Sequence, residues 1–453
     1  MREPAEQVDV VIVGAGIAGL SAAHRLHAAG VTTAVLEAAP AIGGRMSTEV
    51  VDGFRLDRIG PLLSTSYPEL RRTPGLDALP LRTFAPGVLV HSEGRLHRAG
   101  EPQSGSSAAG RSARGALTAA RALASAPRTH RLPGSGSRGR PLMASPLDQA
   151  RLGRALGRLA ATDVPRLLAR PELTAAEALA ASACGRMPQR AVDGFLRPLL
   201  AALLADPGLG TSSRVADLVL RGFARGRLCV PVGGAATLPT TLAAALPSGT
   251  VRTGVKAVEV SASAVRTAGH GEIRCRSVLL ATGARQAAEL LPGLRMPAFH
   301  PVTVLHHTAP ERPLAEPALV LDAERRGPVA HTAVMSEVDP SRTPAGRALV
   351  TSVVHGPPPA ETEVRAQLAR LYGTSTAGWE LLAVHHDPEA VPAMPPPHDL
   401  RRPVRVLSGL YVCGDHRDTS TVQGTLYSGA RAARSVLTDL GVQAAAPSAT
   451  TAA

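Results

Sequence analysis

Hydrophobic positions run unbroken where the chain begins its first recognisable element. Val8-Asp9-Val10-Val11-Ile12-Val13 is a short β-branched stretch ending on glycine, with no polar alternation after Asp9. That pattern predicts a strand buried on both faces, as in a parallel sheet. A 3.6-residue period follows from Ile17 to Ala29 and stops at Gly30. Val31 to Leu36 reads as a second strand, ending at Glu37, so the opening is a βαβ unit. Farther on, Ser145 to Arg227 carries a helical Leu/Ala period interrupted by Pro171, Pro188 and Pro207. Val251 to Val260 and Glu272 to Leu280 read as strands, and a short helix is expected within Arg227 to Ala245. Val302 to Thr308, Ala318 to Leu321 and Ala348 to Val354 predict a further, largely antiparallel sheet. Leu410 to Asp415 is a strand running into a turn, and a helix is predicted from Val422 to Leu440.

Two stretches break the pattern. Gly100 to Pro141 is rich in Ser, Gly and Arg, with one candidate helix at Ala113 to Ala124, and is expected to be a long mobile excursion. The tail from Gln443 is Ala/Ser/Thr/Pro and is expected to be disordered.

Composition narrows the class. With 453 residues and 44% hydrophobic content the chain has material for two or three domains with real cores. The net charge of +13 invites a nucleic-acid reading, but Lys256 is the sole lysine, the arginines are scattered, and aromatics amount to 2%. A nucleic-acid face needs clustered basic residues and stacking rings, so no nucleic-acid partner is expected. Peripheral contact with an anionic membrane stays open. Cys184, Cys229, Cys275 and Cys413 are widely spaced, which gives neither a CxxC zinc site nor a disulfide framework, and no metal is expected. Glu3, Glu6 and Asp9 stand where a secretory signal needs basic and apolar residues, so a cytoplasmic location is the default.

The chemistry lies in three separated motifs. Gly14-Ala15-Gly16-Ile17-Ala18-Gly19 follows the first strand and opens the first helix. Gly14 permits the tight turn, Gly16 admits a pyrophosphate to the backbone, and Gly19 lets helix and strand pack closely. The unpaired amides of Ile17 and Ala18 at the helix start face such a phosphate. Glu37, 18 positions after Gly19, is placed to accept hydrogen bonds from ribose hydroxyls and would repel a 2′-phosphate. Gly43-Gly44-Arg45 adds close backbone passage and a guanidinium for a pyrophosphate. Far downstream, Gly414-Asp415 ends a strand with a carboxylate suited to a polyol, and Ser420 to Thr425 leads into a helix whose positive end suits a reduced flavin ring. Together they point to a non-covalently held FAD.

Here the chain resembles the FAD-dependent amine-oxidase-like superfamily, on the protoporphyrinogen-oxidase and phytoene-desaturase side and of actinobacterial type. The stretches VIVGAGIAGLSAAHRL, LEAAPAIGGRMST, VPVGGAATLP and GLYVCGDHRDTSTVQGTLYSGARAA carry the resemblance. It implies an α/β fold: a Rossmann-type FAD/NAD(P)-binding domain from discontinuous segments (1–65, 229–295, 404–442) and a mixed helix-plus-sheet substrate domain (66–228, 296–403). It also implies adenine contact at the backbone of Val255, and flavin-side contacts at Asp415 and the backbone of Val422 and Gln423. The chain departs from the amine-oxidase pattern as well. Lys256 belongs to the adenine side, the strand near Val302 carries no lysine to reach the flavin, and Thr421 stands where an aromatic would frame an amine.

Residues outside the motifs add weaker candidates. His306 and His307 share a predicted strand, so one points into the inner face and can serve as a base. His416, beside Asp415, can orient the polyol site or line the cavity. Arg197 either anchors a substrate carboxylate or pairs with Asp193, four residues earlier. Phe54, Tyr67 and Tyr427 are expected to pack rather than form a cage. The expected activity is FAD-dependent hydride removal from a C–H bond (C–C or C–N desaturation) of a small, apolar or partly apolar molecule. A flavin-dependent isomerase and a non-catalytic FAD-holding protein are the alternatives.

Overall fold

The computed structural model describes residues 7–100, 130–131, 146–183 and 188–442. The predicted excursion helix at Ala113 to Ala124, Cys184 and the tail from Gln443 lie outside them.

Five parallel strands and one antiparallel edge strand form the first sheet. Its order is Val251–Thr253, Thr33–Glu37, Val10–Val13, Ser277–Leu280, Leu410–Val412 and Arg405–Leu407. Val10 lies opposite Thr33 on one side and Ser277 on the other. The uniform hydrophobicity of the first strand now has its cause. Val10 and Ile12 pack beneath the helices Ile17–Ala28 and Val422–Leu440, while Val11 and Val13 pack against Val265 and Ile273 on the opposite face. The two helices touch closely: a Cβ on Gly429 would stand 2.3 Å from the Ala18 carbonyl oxygen. Thr421 caps the second of them by accepting the Gly424 amide at 3.1 Å, and Gly441 ends it at φ 72°.

Two predicted strands are each two. Val251 to Val260 breaks at Gly254, whose φ of 73° turns Ala257–Val260 out of the parallel sheet into a three-stranded meander with Ala264–Thr267 and Glu272–Arg274. Glu272 to Leu280 divides between that meander and the parallel sheet.

The second sheet has eight strands, in the order Glu380–Pro392, Phe299–Ala309, Ala348–His355, Val329–Val334, Val320–Asp322, Val88–Ser92, Arg95–Ala99 and His130–Arg131. Its pairs are antiparallel except Val320–Asp322 with Val88–Ser92. The helices Pro146–Ala161 and Ser213–Arg225, with the continuous run from Gln189 to Leu204, cover one face through Leu156, Phe195, Leu199 and Leu220. Glu361–Tyr372 covers the other through Val364, Leu368 and Leu371. Pro198 lacks an amide hydrogen and its ring crowds the preceding turn, and the helix accommodates it with a π-bulge over Val192–Leu196. Among the described residues no helix is long and apolar enough to cross a membrane.

A buried ionic joint ties the hairpin of Thr48–Val51 and Phe54–Asp57 and the strand Leu228–Pro231 to the second sheet. Arg342 donates to Asp57 at 2.6 Å, to Asp339 at 3.2 Å and to the Pro231 carbonyl at 3.0 Å. Asp57 also accepts from Thr48 and from the Ala235 amide, each at 2.7 Å, and Asp339 accepts from the Gly233 amide at 2.7 Å. Replacing Arg342 by methionine strands two buried carboxylates, and the expected loss is about 3–5 kcal/mol in urea unfolding; a loss under about 1 kcal/mol contradicts this account of the joint.

Glycine substitutions separate packing from propensity. Gly429→Ala is expected to cost about 1–3 kcal/mol by forcing the two helices apart. Gly157→Ala, on an exposed helix position with nothing within 4 Å of the new Cβ, is expected to stabilise by up to about 1 kcal/mol. Equal effects of the two in the same unfolding assay would refute the contact.

Histidines buried on the second sheet make stability depend on pH. Burial holds His306, His307 and His355 down to about 4 and His331 to about 3. Their folded values lie below that of a free imidazole, near 6.5, so the unfolded chain takes up protons first as pH falls. Stability is therefore full above about pH 6.5 and drops between there and about pH 4, by up to about 1.4 kcal/mol per pH unit for each ring. Asp418, raised to about 6 by burial, and Asp217, also raised by burial, oppose this in part. Chemical denaturation at pH 7 and pH 5 checks the sign; a midpoint that holds or rises at pH 5 contradicts it.

Candidate cofactor and substrate site

Two glycine motifs meet first. The Gly43 amide donates to the Ala15 carbonyl at 2.9 Å, which sets the Gly43-Gly44-Arg45 turn beside the Gly14–Gly19 loop. Gly14 sits at φ 108°, with the Ala281 carbonyl oxygen 2.8 Å from where a Cβ would stand. Gly19 has no room either, since its Cβ would fall 2.1 Å from the Gly14 oxygen. Gly16 is different: nothing lies within 4 Å of its missing Cβ, and no side chain caps the helix it opens. An open glycine before an uncapped helix start is what an approaching phosphate needs.

Glu37 holds the loop from the second strand. Its carboxylate accepts the Ala15 amide at 2.8 Å and the Ala39 amide at 2.9 Å, and its carbonyl accepts the Val255 amide at 2.8 Å. Each carboxylate oxygen keeps a lone pair for a hydroxyl.

At the other end, Gly414 turns at φ 138° and presents Asp415, whose carboxylate lies 2.7 Å from the Arg45 guanidinium. Arg45 also donates to the Ala390 carbonyl at 2.6 Å. Burial pushes the Asp415 carboxyl up, but Arg45 first and His416 second outweigh it, leaving a value of about 2. The guanidinium expected to serve a pyrophosphate thus also neutralises the polyol carboxylate.

One cavity of about 780 Å³ runs along these groups. Gly14, Gly16, Ile17, Ala18, Glu37, Gly43, Gly44, Arg45, Val255, Gly414, Asp415 and Val422 all line it. Gly19 does not; it serves helix–strand packing. Gln423 does not line it either, because its side chain turns away to accept the Glu69 amide at 2.9 Å. Lys256 lines the cavity next to Val255, at the Glu37 end, and Thr421 lines it as the helix cap. Cys229, Cys275 and Cys413 are buried and off the lining.

The structure places the three histidine candidates off the cavity lining, which corrects His306 and His307 as bases there, while His416 stays beside Asp415. His306 is buried with both ring nitrogens engaged, Nε2 with the Asp57 carbonyl and Nδ1 with Thr351 Oγ1, each at 3.0 Å. His307 points to the opposite face, against Trp379. His416 sits behind Gly414, its Nδ1 3.9 Å from Asp415 Oδ1. None of them lines the cavity. Arg197 pairs with Asp193 at 3.0 Å and is likewise off the lining. Phe54 is core, whereas Tyr67, expected only to pack, does line the cavity.

Sequence reasoning missed the far wall. Ile59, Leu62, Leu203, Ala205, Val302 and Val353 give it an apolar surface, and His331 and His355 add two imidazoles whose rings lie 6.3 Å apart. The strand periods could have placed both rings on the inner face had Val329–Val334 been recognised as a strand.

Comparison with known proteins agrees with this architecture. The family model for flavin containing amine oxidoreductases matches residues 17–437. Putrescine oxidase of Kocuria rosea is 48% identical over 82 residues, which is 18% of this chain and only 17% of that enzyme. The carotenoid 3,4-desaturase of Haloarcula japonica is 53% identical over 53 residues, 12% of this chain and 10% of that enzyme. An oxidoreductase from Methanosarcina mazei superposes with a TM-score of 0.66 at 16% identity, over 93% of this chain and 99% of that one, a likeness of fold. With its glycine loops, Glu37 and Asp415 along one cavity and a family match over nearly its whole length, the chain belongs to the flavin containing amine oxidoreductases.

Proposed function

We propose that this protein removes a hydride from a C–H bond of a small, largely apolar molecule, forming a C–C or C–N double bond, with FAD held non-covalently. The observation that carries this reading is the two-ended cavity: glycine loops, Glu37, Arg45 and Asp415 at one end, and an aliphatic wall from Ile59 to Val353 at the other. Segments 1–65, 229–295 and 404–442 are then the cofactor-binding part, and 66–228 and 296–403 the substrate part.

Bound FAD supplies the hydride acceptor; the chain supplies position and exclusion of water. Glu37 would hold the ribose, the amides of Ile17 and Ala18 with Arg45 the pyrophosphate, and Asp415 the ribityl hydroxyls. The helix capped by Thr421 brings its positive end to the cavity at Val422, where it favours negative charge on a reduced ring. Among the described residues the cavity's lysine is Lys256, at the Glu37 end, so the aliphatic wall offers no ammonium to assist an amine. This favours a substrate needing little acid–base help, such as one undergoing C–C desaturation.

Purified protein is expected to show an oxidised-flavin spectrum with chromophore released by heat, and Glu37→Gln to weaken FAD retention by roughly tenfold through loss of a charged acceptor. Anaerobic mixing with a substrate should bleach that band and give a product lighter by two hydrogens. Product of unchanged mass with a required reduced flavin would replace this reading by an isomerase, and protein that cannot be reconstituted with FAD would end it.

A further inference from the structure

The aliphatic wall carries two side chains that the cofactor does not need. His331 lies on Val329–Val334 and His355 ends Ala348–His355, and both rings face the cavity beside Val302 and Val353. His306, on the same sheet, shows what a satisfied buried imidazole looks like here, with a protein partner at each nitrogen. By contrast, His331 Nδ1 and His355 Nε2 are buried with no partner among the described residues, and unlike the unpaired rings of His91, His307, His385, His398 and His416 they line the cavity. His331 is only 6% exposed. Buried polar atoms are rarely left unpaired without a reason, and a ligand is one such reason.

The charges around the pair restrict what that ligand can be. The cavity's cationic lining is Arg45, already paired with Asp415, and Lys256 at the Glu37 end. Near His355 stand Asp206, whose Oδ2 accepts from the Thr211 amide and hydroxyl, and His300. Asp387 lies across Val302 from His355 in the same strand-to-strand row and also lines the cavity. Both rings stay neutral near pH 7, because burial first, and for each a neighbouring imidazole second, holds them down. Each neutral ring has a tautomer in which its unpaired nitrogen accepts, and with carboxylates nearby and, among the described lining residues, no Lys or Arg on the aliphatic wall, the pair suits a donor and disfavours an anion.

Resting on the reading of this cavity as a substrate chamber, we propose that His331 and His355 recognise an O–H or N–H group at one end of an otherwise apolar substrate, and that they reject a carboxylate there. The 6.3 Å between ring centroids lets one head group reach both. The pair positions substrate by accepting hydrogen bonds and takes part in no covalent step.

The test uses three matched probes, 4-phenylbutan-1-ol, 4-phenylbutylamine and 4-phenylbutyrate, titrated calorimetrically into the FAD-loaded protein. The alcohol and amine are expected to bind at least about tenfold more tightly than the carboxylate, as an unpaired acceptor or a repelled charge dictates. His331→Phe and His355→Phe should each weaken the alcohol by roughly tenfold, while His331→Gln and His355→Gln, which keep an acceptor, stay within about threefold of wild type. Equal binding of the three probes, no saturable binding of any, or undiminished alcohol binding in the folded Phe variants would overturn the proposal. Should the Phe variants fail to fold, the wild-type selectivity decides. Flavin content, read separately by absorption, tells failure of this recognition apart from failure of the oxidoreductase reading.

Discussion

Arg342 carries the constraint on which the rest of the architecture depends. Burying three charged groups is costly, and the arrangement holds only because nearly every donor and acceptor is used. Asp57 comes from the hairpin after the first glycine motifs, Asp339 from the connection between the interior strands Val329–Val334 and Ala348–His355 of the second sheet, and the Pro231 carbonyl from the middle of the chain. The same carboxylate of Asp57 that meets Arg342 also accepts the Ala235 amide, while Thr48 accepts that of Ala236, so together they fix the turn that leads into the helix Thr237–Ala244. Pro239 of that helix stands 3.0 Å from the Cβ that Gly43 lacks. A continuous line of contacts thus runs from the buried ionic joint to the glycine turn that faces the cofactor. The Val230–Gly234 stretch is conformationally narrow for the same reason: Gly234, at φ 122°, lies against Thr48 and Asp57 where any Cβ would collide.

Much of the parallel sheet could be read from the sequence because burial on both faces leaves an uninterrupted apolar run, and a glycine with a positive end to the run marks the loop. The C-terminal helix was equally legible, from its period and from Thr421 and Gly441 as its stops. What periodicity could not show is direction in space. Val251, Thr253, Val255, Val258 and Val260 spread β-branched residues along the whole stretch, and nothing in that composition says that Gly254 turns the chain from one sheet to another. Glu380–Pro392 escaped because its sequence contains His385, His386, Asp387, Pro388 and Glu389. As an edge strand it pairs on one side only, so polar side chains and a proline are tolerated there.

The site divides along the same line. Backbone requirements leave marks that a single sequence reveals, which is why Gly14, Gly16, Gly43 and Gly414 were legible. Side chains that act by facing a space leave almost none. The adjacent pair His306-His307 drew attention by composition, yet strand alternation sends the two rings to opposite faces and neither reaches the cavity. His331 and His355 are 24 residues apart in sequence, and only the pairing of their two strands brings them together. Gly429 was silent for a similar reason, since its role depends on a helix more than 400 residues earlier.

The cavity's two ends are held in opposite electrostatic states by one physical variable. Burial disfavours charge everywhere along it. At the cofactor end a guanidinium reverses the outcome, so Asp415 stays ionised with a value near 2 and remains a strong acceptor. At the apolar end burial comes first and a neighbouring imidazole adds to it at each ring, so His331 and His355 stay neutral. Neither set titrates between pH 5 and 9. The chamber therefore keeps a fixed pattern, charged where a polyol must be gripped and neutral where a largely apolar molecule must be admitted, and that contrast rests on whether Arg45 reaches from the first motif to the last.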